Sequence, residues 1–190
     1  MKKLFAMMMA LLMAVSLMCS ASALSLNDVQ KKVDGILYAD VIKNLKKGQG
    51  YAFVPVADKG FDALIVADNV KANKAGVATA KKATIYCVCS KGNVKNYGKI
   101  VSDTNLAVSQ KKYLITTCGT EIVKDTVGIY TGSMMTYEAA SRFTEKGKTI
   151  YYYSNYAEKY TDKVSTDGTH YKELQKELNN ADVINFNIVK

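Results

Sequence analysis

Ala83-Thr84-Ile85-Tyr86-Cys87-Val88-Cys89 is the stretch that decides how this chain is read. It is apolar, β-branched and aromatic, with Lys81-Lys82 before it and Ser90-Lys91-Gly92-Asn93 behind it. A short run bounded in this way is a buried strand followed by a turn. Cys87 and Cys89 stand two residues apart, so they share one face of that strand.

Working outward, residues 51–56 and 61–67 form a hairpin around Asp58-Lys59-Gly60. Pro55 has no N–H to give a ladder, which places the first of these strands at an edge. Residues 69–80 mix Val70, Ala72, Val77 and Ala80 with Gly76 and read as a loose helix or a loop. Beyond the central strand, residues 95–102 are strand-like and Asp103-Thr104-Asn105 stops them. Residues 113–118 and 126–130 are further strands. Residues 136–146 fit either a helix or half of a hairpin turning at Glu145-Lys146-Gly147-Lys148, and Glu138-Ala139-Ala140 tips the reading to helix. Residues 149–153 are a strand, and 155–163 a short helix with Asn155 and Glu158 at capping-box spacing.

At the two ends, Leu26, Val29, Val33, Leu37, Val41 and Leu45 recur every three or four residues. That spacing predicts a helix over 25–47, with Gly35 as its weak point. Residues 169–180 form a second amphipathic helix, with Tyr171, Leu174 and Leu178 on one face. Ile184, Phe186 and Ile188 alternate with asparagines in a closing strand. Runs of strands with few crossover helices make the fold class α+β. The expected architecture is a mostly antiparallel sheet packed by an N-terminal helix and C-terminal helices. The alternative is α/β, if 69–80 is a crossover helix.

Met1-Lys2-Lys3 opens the chain, an apolar run continues from Leu4 to Met18, and Ala21-Ser22-Ala23 follows. This is the charge, core and small-residue order of an export signal, so residues 1–23 read as a signal peptide and 24–190 as one globular domain. The apolar run is shorter than the ~20 residues of a spanning helix, and no second such run follows. The expected location is therefore periplasmic or extracellular, with no transmembrane segment in the mature chain. The whole chain carries +9, and losing Lys2 and Lys3 leaves the domain basic. Of the whole chain's 26 basic residues only Arg142 is an arginine. Lysine is a hydrated point charge without the planar fork that reads phosphates and bases, which speaks against a specific nucleic-acid partner.

Cys87, Cys89 and Cys118 remain after the signal is removed. They read as small buried apolar groups, as a bridge from Cys118 to Cys87 or Cys89 if their strands are neighbours, or as a reactive thiol. Cys-x-x-Cys at a helix start, the arrangement that lowers a thiol pKa, is absent. His170 is the only histidine, and Cys87-x-Cys89 has mid-strand rather than zinc-knuckle spacing, so no metal site is read. Gly-x-Ser-x-Gly, His-Glu-x-x-His and the phosphate-binding Gly-x4-Gly-Lys pattern are missing, and nothing calls for a cofactor.

Tyr151, Tyr152, Tyr153, Tyr156 and Tyr160 fall within ten residues. Tyrosine offers a flat apolar body, a polar tip and few rotamers to freeze, which suits a recognition surface. Tyr151, Tyr152, Tyr156 and Tyr160 are the candidate ligand or partner contacts, and no catalytic residue is assigned. The expected function is non-catalytic binding of an envelope protein or ligand by a small, soluble, exported bacterial domain. Two alternatives stand beside it: a thiol-dependent enzyme or redox protein using Cys87, Cys89 or Cys118, and a lysine-rich binder of anionic envelope surfaces.

Overall fold

The computed structural model describes residues 26–156 and 161–190; the segment read as an export signal lies outside them, as do residues 157–160. Mostly antiparallel sheet forms the body of the protein. Five strands make one sheet: β1 (Gly50–Val54), β2 (Ala63–Ala67), β5 (Lys82–Val88), β6 (Val94–Val101) and β14 (Asn187–Ile188), in the order β14-β1-β2-β5-β6. Seven make the other: β7 (Ala107–Val108), β8 (Leu114–Cys118), β9 (Glu121–Gly128), β10 (Ser133–Glu145), β11 (Lys148–Asn155), β12 (Thr161–Ser165) and β13 (Asp182–Val183), in the order β12-β11-β10-β9-β8-β7-β13. The stretch 69–80 is neither helix nor plain loop. It holds a small hairpin of β3 (Lys71–Ala72) and β4 (Ala78–Thr79). With every ladder between named strands antiparallel, the α/β alternative is ruled out.

The two sheets share one apolar core. Ala83, Ile85 and Cys87 of β5 point into it beside Ala52, Val54 and Ile65, and meet Leu114 and Val127 of the larger sheet. Thr84, Tyr86 and Val88 alternate to the outer face. There Leu64, Val66 and Val88 lie with Leu37, Tyr38, Val41 and Ile42 of the N-terminal helical segment and Leu45 just beyond it. That segment is α1 (Leu26–Leu37) and α2 (Ala39–Ile42), and it breaks at Tyr38 rather than at Gly35. Tyr38 is fully buried and its hydroxyl donates to the Asp62 carbonyl at 2.7 Å, so a tertiary anchor sets the break. On the outer face of the larger sheet, Tyr171 and Leu174 of α3 (Thr169–Asn179) contact Ile122 and Ala140.

Backbone bonds join the sheets at two corners. Val127 N–H donates to the Val56 carbonyl and Asp58 N–H to the Val127 carbonyl, at 2.8 and 3.0 Å. After α3 the chain pairs as β13 with β7, then crosses to the other sheet and pairs as β14 with β1. The single closing strand expected over 183–189 is thus two short strands in different sheets. Because β1 lies between β14 and β2, it is not an edge strand. Pro55 falls one residue beyond its end, where no ladder bond is needed.

Two helices read from the sequence are strands. Residues 136–146 lie in β10, which pairs with β9 on one side and β11 on the other. Sheet pairing on both edges overrides the helix propensity of Glu138-Ala139-Ala140. Lys146 and Gly147 have φ of 49° and 75°, the two positive values of a two-residue type I′ turn, which the Lys-Gly pair supplies. The helix expected over 155–163 is replaced by the end of β11 and the start of β12, although 157–160 lie outside the described residues. One C-terminal helix is present among the described residues, not two. None of the described helices is long and apolar enough to cross a membrane.

Candidate functional site

The outer face of the larger sheet carries the one lysine that is fully enclosed among the described residues. Ile122, Lys124 and Thr126 of β9 alternate onto that face, and Lys124 is 1% exposed. Its Nζ donates to Glu138 Oε2 at 2.7 Å and to Glu177 Oε2 at 2.9 Å. Glu138 stands opposite it on β10, and Glu177 reaches in from α3. The ammonium also lies 5.0 Å from the Tyr113 ring centre and 5.5 Å from that of Tyr137. The two rings are 4.3 Å apart and tilted by 31°. Tyr137 occupies the β-bulge between Thr136 and Glu138, an extra residue that re-aims its side chain.

Aromatic and polar side chains around it hold Glu138. Its Oε1 accepts the Tyr153 hydroxyl at 2.8 Å and Asn155 Nδ2 at 3.4 Å, while Asn155 Nδ2 also donates to the Tyr153 oxygen at 3.0 Å. Tyr153 stacks on His170 with ring centres 4.1 Å apart and planes 12° apart. His170 Nδ1 in turn lies 3.3 Å from Glu173 Oε2. Glu177 Oε1 is buried with no hydrogen-bond partner.

The charges are locked rather than poised. Burial works to lower the Lys124 pKa, but its hydrogen bonds to Glu138 and Glu177 outweigh burial and raise it. Burial works to raise Glu138, but Lys124 and the Tyr153 hydroxyl outweigh it and lower it. Tyr113 is pushed up to about 12, mainly by burial and then by Tyr137 and the carboxylates. Tyr153 is pushed up to about 12 by burial and by Glu138. At neutral pH the amine stays charged, the carboxylate ionised and both phenols neutral. None of these groups is tuned to pass a proton near pH 7.

Two clefts flank this core and share Lys111. One of about 600 Å³ is bordered by Gln110, Glu138, His170, Lys176 and Glu177. The other, about 570 Å³, is bordered by Lys112, Tyr113, Thr136, Tyr137 and Tyr156.

The tyrosines singled out in the sequence separate by strand alternation. Tyr151 faces α3, its ring 5.7 Å from that of Tyr171 and pressed on Gly168, where a Cβ would meet the ring at 2.6 Å. Tyr152 turns to the opposite face, and its hydroxyl donates to Asp162 at 2.7 Å across the β11–β12 pair. Tyr156 is exposed at the end of β11, lines the second cleft, and donates its N–H to the Tyr137 carbonyl at 2.9 Å. Tyr160 lies outside the described residues. Of the four, Tyr156 joins the cleft, together with Tyr113 and Tyr137, which the sequence reading passed over. Lys124 was missed because strand β9 begins earlier than residue 126. A lysine two residues from Ile122 and Thr126 in a strand was the available signal. On α3, His170, Glu173 and Glu177 fall at i, i+3 and i+7, a stripe beside Leu174 that was legible in the same way.

The three cysteines are free. Cys87 is buried in the inter-sheet core, and burial pushes its thiol up to about 11. Cys89 lies half-buried past the end of β5. Burial would raise it, but the N–H groups of Lys91 and Asn93, with the Lys95 ammonium, carry it below the ordinary value. Cys118 is exposed at the end of β8, in the other sheet. Among the described residues no group of three or more His, Cys, Asp or Glu side chains is placed to hold a metal ion. No protein-family model matches the chain, and no curated protein or solved structure is significantly similar to it.

Proposed function

We propose that this chain is an exported, non-catalytic binding protein of the bacterial cell envelope, and that it takes an extended, acidic ligand across the paired clefts beside Tyr113 and Tyr137. The single observation that carries the reading is the buried Lys124–Glu138–Glu177 network, which borders one cleft and holds in place the Tyr113 and Tyr137 rings that line the other. Rings held in place before binding lose little entropy when a ligand covers them. Lys111, Lys112 and Lys176 at the cleft margins favour acidic groups on that ligand. Export rests on the order of charge, apolar run and small residues over 1–23. In this reading residues 24–190 are one domain, and its N- and C-terminal helices serve as covers for the outer sheet faces.

A thiol enzyme has less support. Cys87 is enclosed, Cys89 lies past the end of β5 while Cys118 ends a strand of the other sheet, and His170 is engaged by Tyr153 and Glu173. A dedicated nucleic-acid reader has less still, since Arg142 lies over the Tyr171 ring, 5.4 Å from its centre.

The test is binding to arrays of acidic oligosaccharides and acidic peptides by the intact protein and by Tyr137→Ala and Tyr156→Ala, with thermal unfolding as a check on the fold. Truncating an aromatic anchor costs ~2 kcal/mol or more, so affinity should fall at least about thirtyfold. Equal binding by folded variants, or none by the intact protein at millimolar ligand, contradicts the reading.

A further inference from the structure

A third cleft lies on the other sheet, on its outer face and away from the tyrosine wall. It encloses about 440 Å³ where the β3–β4 hairpin meets β5 and β6. Lys71, Lys81, Lys82 and Lys99 border it, with Asp68 the single acid, and Thr84 and Val101 lie beneath. The register explains the crowding. Lys82 stands opposite Val101 and Lys99 opposite Thr84, so the two lysines are diagonal neighbours on one face. Such neighbours are ~7–8 Å apart at the backbone, close enough for their long side chains to converge. None of the four lysines is ion-paired with the described residues. Lys81 Nζ donates to the Asp103 backbone carbonyl, which fixes the amine without neutralising it. Asp68 already accepts Gln49 Nε2 at 2.6 Å. Unpaired like charges this close repel one another, and an anion seated between them relieves that repulsion.

The geometry points to this cleft as a binding site for a compact ligand bearing two or more phosphate charges. A single carboxylate would leave most of the lysine charge unmet, whereas a phosphate monoester alone carries about −1.5 to −2. Lysines bind phosphate as point charges and need no planar partner. Asn69, Asn105 and Thr79 at the same margin add neutral hydrogen-bonding groups for ester or hydroxyl oxygens. The ligand is either a free oligophosphate ester or a phospholipid headgroup that carries a monoester phosphate, presented by a membrane surface. The site is independent of the tyrosine clefts and stands if their ligand proves to be something else.

Calorimetric titration with inorganic pyrophosphate, and with inorganic phosphate for comparison, tests the free-ligand arm. Sedimentation with phosphatidylcholine vesicles, with and without phosphatidic acid, whose monoester phosphate carries about −1.5 to −2, tests the membrane arm. The variant is Lys82→Gln/Lys99→Gln, and the control is Lys46→Gln/Lys47→Gln, two exposed lysines outside the cleft with the same change in net charge. Tighter binding of pyrophosphate than phosphate, weakened about tenfold or more in the cleft variant and little in the control, supports a free ligand. The same contrast seen only with phosphatidic acid vesicles supports a headgroup. Failure of the intact protein to bind either probe, or equal losses in variant and control, overturns the site.

Discussion

Replacing Lys124 by methionine should destabilise the protein by about 3 kcal/mol, the lower end of the ~3–5 kcal/mol for breaking a buried ion pair from one side. The substitution keeps much of the side-chain volume and removes the charge. It leaves Glu138 and Glu177 facing each other across the gap, with Glu177 Oε1 already lacking a partner. The carboxylates are 18% and 20% exposed, so water can relieve part of the repulsion, which is why the lower end applies. For a domain of this size ~1 kcal/mol moves Tm by ~2–4 °C, so a fall on the order of 10 °C is expected. Loss of the ammonium also frees the Tyr113 and Tyr137 rings, which should reduce the near-ultraviolet dichroism of the folded state. Lys124→Met/Glu138→Gln/Glu177→Gln should recover most of the loss, because a neutral cluster has no buried charge to compensate. Calorimetry of the single and triple variants checks both expectations.

Ile65→Ala should cost about 2–5 kcal/mol, comparable with the loss of Lys124 but by another mechanism. Ile65 is 0% exposed, sits in β2 between β1 and β5, and pairs across the ladders with Ala52 and Ile85. With small Ala52 on one side and the second sheet behind, nothing flexible stands ready to fill the cavity. Urea unfolding should show a lower midpoint with an unchanged slope. Val164→Thr, at a residue 64% exposed on the outermost strand of the larger sheet, should stay within ~0.5 kcal/mol.

These two sites show what was legible in the sequence. Residues 83–89, 113–118 and the 51–67 hairpin were plain because apolar alternation and turn residues pointed the same way. The helix over 169–179 was plain for the same reason, with Tyr171 and Leu174 at helical spacing. The stretch 133–145 was not legible, because its local propensity favours helix and its strand form depends on partners on both sides. Locally the Lys146-Gly147 turn was the better guide. The tyrosine cluster was visible as composition, but alternation along β11 sent Tyr151 and Tyr152 to opposite faces. The cleft wall drew instead on Tyr113 and Tyr137, which are far apart in the chain. No local signal brings Lys124, Glu138 and Glu177 together; the register of β9 on β10 and the seating of α3 do so.

The central claim is that the buried amine and its carboxylates hold fixed charges and frame a binding surface, rather than exchanging protons. Raised above its unfolded value of ~10.4, Lys124 stabilises the fold fully below that pH and loses the contribution as pH rises through its native pKa. Lowered below ~4.3, Glu138 stabilises fully above that pH and loses its contribution as pH falls through its native pKa. NMR titration of the Lys124 Nζ and Glu138 carboxyl signals in the folded protein measures this most directly. The expected result is an amine that titrates above the ordinary lysine range and a carboxyl that titrates below the ordinary glutamate range. An amine losing its proton near pH 7, or a carboxyl gaining one there, would contradict the claim and mark the site as an acid–base centre.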